Sequence, residues 1–369
     1  MSKLKILIFN WRCWLNPKAG GAEVYIHEIA KRWVKTGHEV TLFTSEFPGC
    51  AKEETMDGIK IIRAGGKYSV YWKAMKYYKN NFKHNFDVIL EAINTIPFFT
   101  PTYASEPQVS LIFQITGEVF YKVFPKPVAI SARYIEPLIY KKFYKENIAL
   151  VLSKSVKDEL VKIGFKPDHI FVAEPGIDYE YYSLGEKTEY PSILYLNRIV
   201  PYKNVDHLIK AFKIVKYKVP DAKLHIVGCR GTAYESKLRK LAKKLGILDS
   251  IEFHGFLSGE PKREFLQKAW VHVLPSTKEG WGISVLEAAS CGTPTVAYNV
   301  TGLRDSVKDK ITGILVPFND IEALATAITK ILTNKQLRIQ LSKNARKWAL
   351  QFSWERTAKI ALNAIKNAI

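Results

Sequence analysis

The sequence predicts an α/β protein of two Rossmann-like domains, and three observations carry that prediction. Short apolar runs that read as parallel strands alternate with segments of helical periodicity. Glycine-containing loops join several of these strands to the helix that follows. Near residue 185, within YYSLGEKTEYP, turn residues and charges replace the apolar periodicity, and 369 residues leave room for a domain of ordinary size on each side. The expected division is 1–185, 186–352, and a last helical segment over 353–369.

In the first domain, Lys3 to Phe9 is mostly apolar, as a strand buried on both faces should be. A loop leads to Gly20 and Gly21, a helix is expected from about Ala22 to Thr36 with Gly37 ending it, and His38 to Thr44 reads as the next strand. This is the start of a right-handed βαβ array. The loop lacks G-x-G-x-x-G, so the dinucleotide fingerprint is absent. Further strands are expected at Ile59–Arg63, Val88–Glu91, Val109–Ile115, Ile148–Leu152 and Ile170–Ala173, with a helix over Val156–Ile163 started by Ser153-Lys154-Ser155.

The second domain opens on strand Ser192–Leu196 and the loop Asn197-Arg198-Ile199-Val200-Pro201-Tyr202-Lys203-Asn204, before a helix over Val205–Lys216. Arg198 and Lys203 are either counter-charges for an anion or part of an exposed basic loop. Strands follow at Leu224–Gly228, Ile251–Gly255, Trp270–Leu274, Thr295–Tyr298 and Ile314–Val316. Between the third and fourth of these, Ile283–Cys291 has helical character, with Gly292 as cap and Pro294 as stop. His254 is not expected to bind a metal, for want of a second ligand at a metal spacing.

Residues 275–299, PSTKEGWGISVLEAASCGTPTVAYN, carry the chemistry. Gly280 and Gly282 flank Trp281 immediately before a helix that starts with Ile283, Ser284 and Val285. Backbone can approach a ligand there, and the first helical N–H groups point outward, which favours phosphate. Glu279 on the loop and Glu287 about one turn into the helix are placed to look into one crevice. A carboxylate beside a phosphate site suits a ligand that also carries neutral hydroxyls, because like charges repel at close range. A nucleotide sugar supplies both parts.

The spacing of Glu279 and Glu287 within KEGWGISVLEAASCGTPTVA closely resembles the glutamate signature of family 4 retaining glycosyltransferases. The resemblance implies the GT-B fold, in which two Rossmann-like domains face each other across a cleft. Gly20-Gly21-Ala22-Glu23 is similar to that family's double glycine, which lies close to the donor diphosphate; a plain glycine-rich turn is the alternative. Pro175-Gly176-Ile177-Asp178 resembles the family's connection into the linker, with its glycine kept and its asparagine absent. Phe352-Ser353-Trp354-Glu355 resembles the segment that crosses back to the first domain. By the same resemblance Arg198 and Lys203 hold the diphosphate and stabilise the departing nucleotide, Glu279 binds the donor sugar, and Glu287 binds the ribose hydroxyls. Gly280, Trp281, Gly282, Ile283, Ser284 and Val285 complete the donor loop. His254, Gly255 and Phe256 are expected beside the base, although Phe256 equally fits a core position.

The implied reaction transfers a hexosyl group from a UDP- or GDP-linked sugar, UDP being favoured, to a hydroxyl of a glycan or lipid-linked acceptor. No separate cofactor is expected, and no Asp-x-Asp motif stands where a sugar-nucleotide metal would need it. Retention in the family is explained by front-face attack, with a donor phosphate oxygen taking the acceptor proton. One departure concerns the histidine many relatives carry after the strand corresponding to Val109–Ile115: its place falls on Phe113 or Gln114. Gln114 can hydrogen-bond a sugar hydroxyl but does not titrate near neutrality, and Glu118 either substitutes or caps the next segment.

Composition narrows the partners. With 47% hydrophobic and 24% charged residues the chain is globular. No apolar run reaches the roughly 18 residues that span a membrane, and four scattered cysteines fit a reducing cytoplasm. The net charge of +20 suits phosphorylated substrates, an anionic membrane surface or nucleic acid, or is simply a lysine-rich surface. The stretches 60–83 and 120–145 combine basic and aromatic side chains, and are expected either near a lipid-linked acceptor at the cytoplasmic membrane face or as ordinary amphipathic helices. Two rival readings compete with this one. A GT-B nucleotide-sugar epimerase would lack the EGWGISVLE pattern, and a nucleic-acid-binding protein would need a recognition motif that the sequence does not contain.

Overall fold

The computed structural model describes residues 3–369, which form two compact units. The first comprises the chain up to Gly117, Ile130–Gly176 and Trp354–Ile369; the second comprises Glu118–Ala129 and Ile177–Ser353. The second unit thus begins earlier than the boundary expected at residue 185. The reason is local: Tyr182 and Ser183 are tied to it through Arg346 Nη1 to the Tyr182 carbonyl at 2.7 Å and Gln267 Nε2 to the Ser183 carbonyl at 3.0 Å.

The first unit is built on strands β1 (Lys5–Phe9), β2 (Glu39–Thr44), β3 (Glu53–Met56), β4 (Ile59–Arg63), β5 (Val88–Ile93), β6 (Gln108–Ile112), β7 (Ile148–Val151) and β8 (Ile170–Val172). They form one sheet in the order β3-β4-β2-β1-β5-β6-β7-β8. All ladders are parallel except β3 with β4. The central strands are buried over most of their length, which is why residues 6–9 of β1 and 88–90 of β5 read as apolar runs rather than as alternating ones.

Strand β3 was not expected, because EETM is polar and alternates between exposed and half-buried positions. Its signal lies in the turn instead. Asp57 and Gly58 both have positive φ, 50° and 75°, the conformation of a two-residue hairpin loop that Asp-Gly favours. Glu23, Tyr25, Ile26, Ile29, Ala30 and Trp33 form the buried face of helix Gly21–Lys35. The helix Trp354–Ala368 lies on this unit: Trp33 Nε1 donates to the Ala358 carbonyl at 2.9 Å, Arg32 pairs with Glu355 at 2.7 Å, and the rings of Tyr25 and Trp354 meet edge-on at 5.9 Å.

The second unit has strands β9 (Ser192–Leu196), β10 (Lys223–Cys229), β11 (Ile251–Gly255), β12 (Val271–Leu274), β13 (Thr295–Tyr298) and β14 (Gly313–Val316), all parallel. Their order is β11-β10-β9-β12-β13-β14. The chain therefore reverses its direction of travel between β9 and β12, and in doubly wound sheets ligands bind outside the carboxyl ends of the strands at such a point. The loops leaving those two strands are 197–204 and 275–282. In the first unit the corresponding pair is β1 and β5, whose outgoing loops are linked by Asn94 Nδ2 to Asn10 Oδ1 at 3.1 Å.

Candidate active site

The two loops at the β9–β12 reversal are sewn together by polar contacts. The Pro201–Lys203 turn ends at Asn204, whose φ of 50° lets its fully buried side chain reach across. Asn204 Nδ2 donates to the Pro275 carbonyl at 2.9 Å and to Thr277 Oγ1 at 3.1 Å, and Thr277 N donates to the Tyr202 carbonyl at 2.8 Å. Across this seam the Lys203 ammonium, only 3% exposed, pairs with Glu279 Oε1, which also accepts from Ser276 Oγ at 2.6 Å. Arg198 is half-buried on the same loop, donating from Nη2 to Tyr202 Oη at 3.2 Å. Arg198, Lys203 and Glu279 are thus drawn to one place by topology.

The loop that leads into helix Ile283–Ser290 is shaped by two glycines with positive φ. Gly282, at 96°, precedes helix Ile283–Ser290 and turns the chain into it. Gly302, at 80°, lies against that loop so closely that a Cβ would come within 2.2 Å of the Glu279 carbonyl oxygen. The Glu279 N–H in turn donates to the Thr301 carbonyl at 3.2 Å. At the opening of the helix, Trp281 Nε1 and Ser284 Oγ are buried without a hydrogen-bond partner. Buried polar atoms are nearly always paired, so these two leave hydrogen-bonding capacity unused at the helix opening. Trp281 itself is held edge-on against Phe352 at 5.3 Å.

Glu287 is buried one turn further along and has its own partners. It accepts from Tyr182 Oη at 3.1 Å and from Lys262 Nζ at 2.5 Å. The two glutamates expected to share a crevice therefore each have a separate cation. Sequence spacing did not suggest Tyr182 or Lys262, since neither is near Glu287 in the chain.

The base-side candidates diverge. Phe256 is 53% exposed, so the core alternative does not hold; the Arg230 guanidinium stacks over its ring at 4.3 Å. A Cβ on Gly255 would meet open space, so no close approach of backbone requires glycine there. His254 is half-buried, and burial lowers its pKa from the ordinary imidazole value. The expectation that it lacks fellow ligands is corrected by the sheet: His225 Nδ1 lies 3.3 Å from His254 Nε2, and Glu252 Oε2 lies 3.3 Å from the first and 3.6 Å from the second. The Glu-x-His alternation on one strand was the signal for it.

In the first unit, Gly20 and Gly21 sit at the start of helix Gly21–Lys35 with extended rather than left-handed backbone at Gly20. Gly20 N donates to Glu23 Oε2 at 2.7 Å, and the buried Glu23 pairs with Arg12 Nε at 3.2 Å. Phe113 is core, with its ring edge-on to Tyr25 at 5.9 Å, while Gln114 next to it is half-buried. The following turn is held by Glu136, which accepts from Thr116 N at 2.8 Å and Gly117 N at 2.9 Å. Glu118 is exposed and falls in the second unit.

Residues 182–348 match the family described as Glycosyl transferases group 1, and residues 19–181 match that described as Glycosyltransferase Family 4. The chain belongs to the group 1, family 4 glycosyltransferases. The glycosyltransferase is 32% identical over 239 residues to D-inositol 3-phosphate glycosyltransferase of Saccharomonospora viridis, covering 60% of this chain and 56% of that one. It spans about half the length of the first such relatives it matches. Among solved structures it is similar to sucrose-phosphate synthase of Thermosynechococcus elongatus, with a TM-score of 0.85 at 20% identity over 99% of both chains. It is also similar to Anabaena HepE in complex with UDP-glucose, with a TM-score of 0.76 at 17% identity over 98% of this chain and 99% of that one. The glycosyltransferase therefore has the GT-B fold.

Proposed function

We propose that the glycosyltransferase moves a hexosyl group from a UDP-linked sugar to a hydroxyl of a glycan or lipid-linked acceptor, with retention at the anomeric carbon and without a metal at the diphosphate. The observation that carries this reading is the buried Lys203–Glu279 pair beside a helix opening whose Trp281 Nε1 and Ser284 Oγ lack partners. A diphosphate supplies the acceptor oxygens those donors need, and its charge is met by Lys203, Arg198 and the helix end together. Glu279, sharing Lys203 with the incoming phosphate, turns its remaining acceptor capacity to sugar hydroxyls; Glu287 does the same for the ribose beside Lys262. In the reaction the bond from the anomeric carbon to the phosphate oxygen breaks, the acceptor oxygen bonds to the same face, and its proton passes to the departing phosphate oxygen. Lys203 and Arg198 stabilise the charge that develops there. The fold shared with a UDP-glucose complex supports the choice of nucleotide.

A thermal-shift panel of UDP, GDP, ADP and their sugar derivatives tests the donor assignment. Ligand at about a hundredfold excess over its Kd should stabilise the native state by about 2.7 kcal/mol, several degrees in melting temperature. Uridine compounds are expected to give the shift, and Glu287→Ala to lose it while melting cooperatively. No shift with any nucleotide, or an unchanged shift in Glu287→Ala, defeats the assignment.

The acceptor is proposed to be presented at an anionic membrane surface. In the helix Lys126–Ile139 the side chains of Tyr134 (73%) and Leu138 (63%) stand in solvent, and Lys141 and Lys142 follow at once. Apolar side chains flanked by lysines suit the headgroup boundary. In the stretch 60–83 only Tyr68 and Trp72 are prominently exposed, whereas Tyr78 and Phe82 belong to the core. No helix of the described residues is long and apolar enough to cross a membrane. Co-sedimentation with phosphatidylglycerol vesicles but not phosphatidylcholine vesicles is expected, and should be lost in Tyr134→Ser/Leu138→Ser. Equal binding to both lipids, or to neither, removes the proposal.

A further inference from the structure

At the edge of the second sheet, three side chains from two strands converge on one point. β10 and β11 run parallel with His225 opposite Glu252 and Val227 opposite His254. Glu252 and His254 are alternate residues of a strand and so share a face. His225 Nδ1 lies 3.3 Å from both His254 Nε2 and Glu252 Oε2, and the last two atoms are 3.6 Å apart. Hydrogen bonds account for only part of this triangle: a proton on His225 Nδ1 can be shared by the other two atoms, which leaves His254 Nε2 and Glu252 Oε2 facing each other. Each imidazole nitrogen carries at most one proton, so in every tautomer one side of the triangle sets lone pair against lone pair or N–H against N–H.

A cation at the centre removes that conflict by accepting all three lone pairs. With metal bonds of about 2.0–2.1 Å, two ligand atoms of a tetrahedral site stand about 3.3 Å apart, close to the separations seen here. The surroundings fit as well. Tyr190 Oη lies 3.4 Å from His225 Nε2, where it can accept that N–H and leave Nδ1 free to ligate, the outer contact by which metal-binding histidines are oriented. The Phe265 ring packs against His254 at 4.6 Å, while Glu252 is exposed and gives an ion a way in.

We propose that His225, Glu252 and His254 form a binding site for a zinc-type dication, with water in the fourth position. The site clamps the edge strand β11 to β10 just before the two strands run out into the loops of Arg230 and Phe256, at a point where the ladder shifts register between Val227 and Cys229. Its role is to hold those loops, and it stands independently of the donor assignment.

The test is a titration of untagged, chelator-stripped protein with Co2+, followed by Zn2+. The native protein should develop the visible d–d absorption of four-coordinate Co2+ to a stoichiometric end point, lose it on adding Zn2+, and melt several degrees higher with Zn2+ than without. Glu252→Gln and His254→Gln, at sites that are not fully buried, should abolish both responses while melting as the metal-free native protein does. His84→Gln, an exposed histidine elsewhere, should retain them. Absence of the absorption in native protein, or its persistence in His254→Gln, overturns the proposal.

Discussion

Replacing Gly302 with alanine is expected to abolish nucleotide-sugar binding and to cost about 1–3 kcal/mol of stability, the range of a residue forced into a strained backbone region. The new Cβ would stand 2.2 Å from the Glu279 carbonyl oxygen, 2.7 Å from its carbon and 2.9 Å from the Gly280 carbon. These are backbone atoms, so no side-chain rotation relieves them. Either Gly302 gives up its φ of 80° or the Glu279-Gly280 segment retreats, and in both cases Glu279 leaves Lys203 and the helix opening loses its shape. Gly255→Ala is the matched control. Its Cβ meets open space, and its stability should change by less than about 0.5 kcal/mol. Wild-type melting and turnover in Gly302→Ala would show that the loop is not positioned in this way.

Lys203→Met is expected to lower kcat about a hundred- to a thousandfold, the effect of removing one preorganised charge-stabilising donor. It should also destabilise the fold by about 3 kcal/mol, because Glu279 is then buried as an anion with the Ser276 hydroxyl donating to it but no cation beside it. The two effects separate in the double variant Lys203→Met/Glu279→Gln. Removing the uncompensated charge should restore much of the stability, since replacing both members of a buried pair costs far less than breaking it. Activity should stay low, because the diphosphate still lacks its ammonium. A single variant with kcat within about threefold of the native value would mean that Lys203 serves the fold and not the reaction.

Much of the fold was legible because a buried parallel strand writes itself as an apolar run. β4, β9, β11 and β13 fall on the residues their apolar patterns indicate. What escaped was structure whose cause lies elsewhere in space. β3 is polar in three of its four residues and is folded onto β4 by the Asp57-Gly58 turn. Segment 177–185 reads as part of the first domain because its contacts in the second, to Arg346 and Gln267, are far away in sequence. The site divides on the same line. The loop around Glu279 announces itself through its glycines and carboxylate, whereas the ammonium of Lys262 beside Glu287 and the imidazole of His225 beside His254 are neighbours made by sheet order and helix packing. Pairing across strands has no linear spacing for a reader of sequence to count.

The helix Trp354–Ala368 carries a consequence for how the molecule is made. It follows the second unit in the chain yet is packed into the first, where it receives the indole N–H of Trp33 and covers Tyr25. During synthesis the strands of the first unit emerge early but wait with that apolar helix face uncovered until every residue of the second unit has been made. The second unit includes no residue of that helix, so its own contacts do not wait for it. The first unit therefore cannot complete its fold until the second has been synthesised, and in the interval its uncovered apolar surface is where a chaperone would be needed.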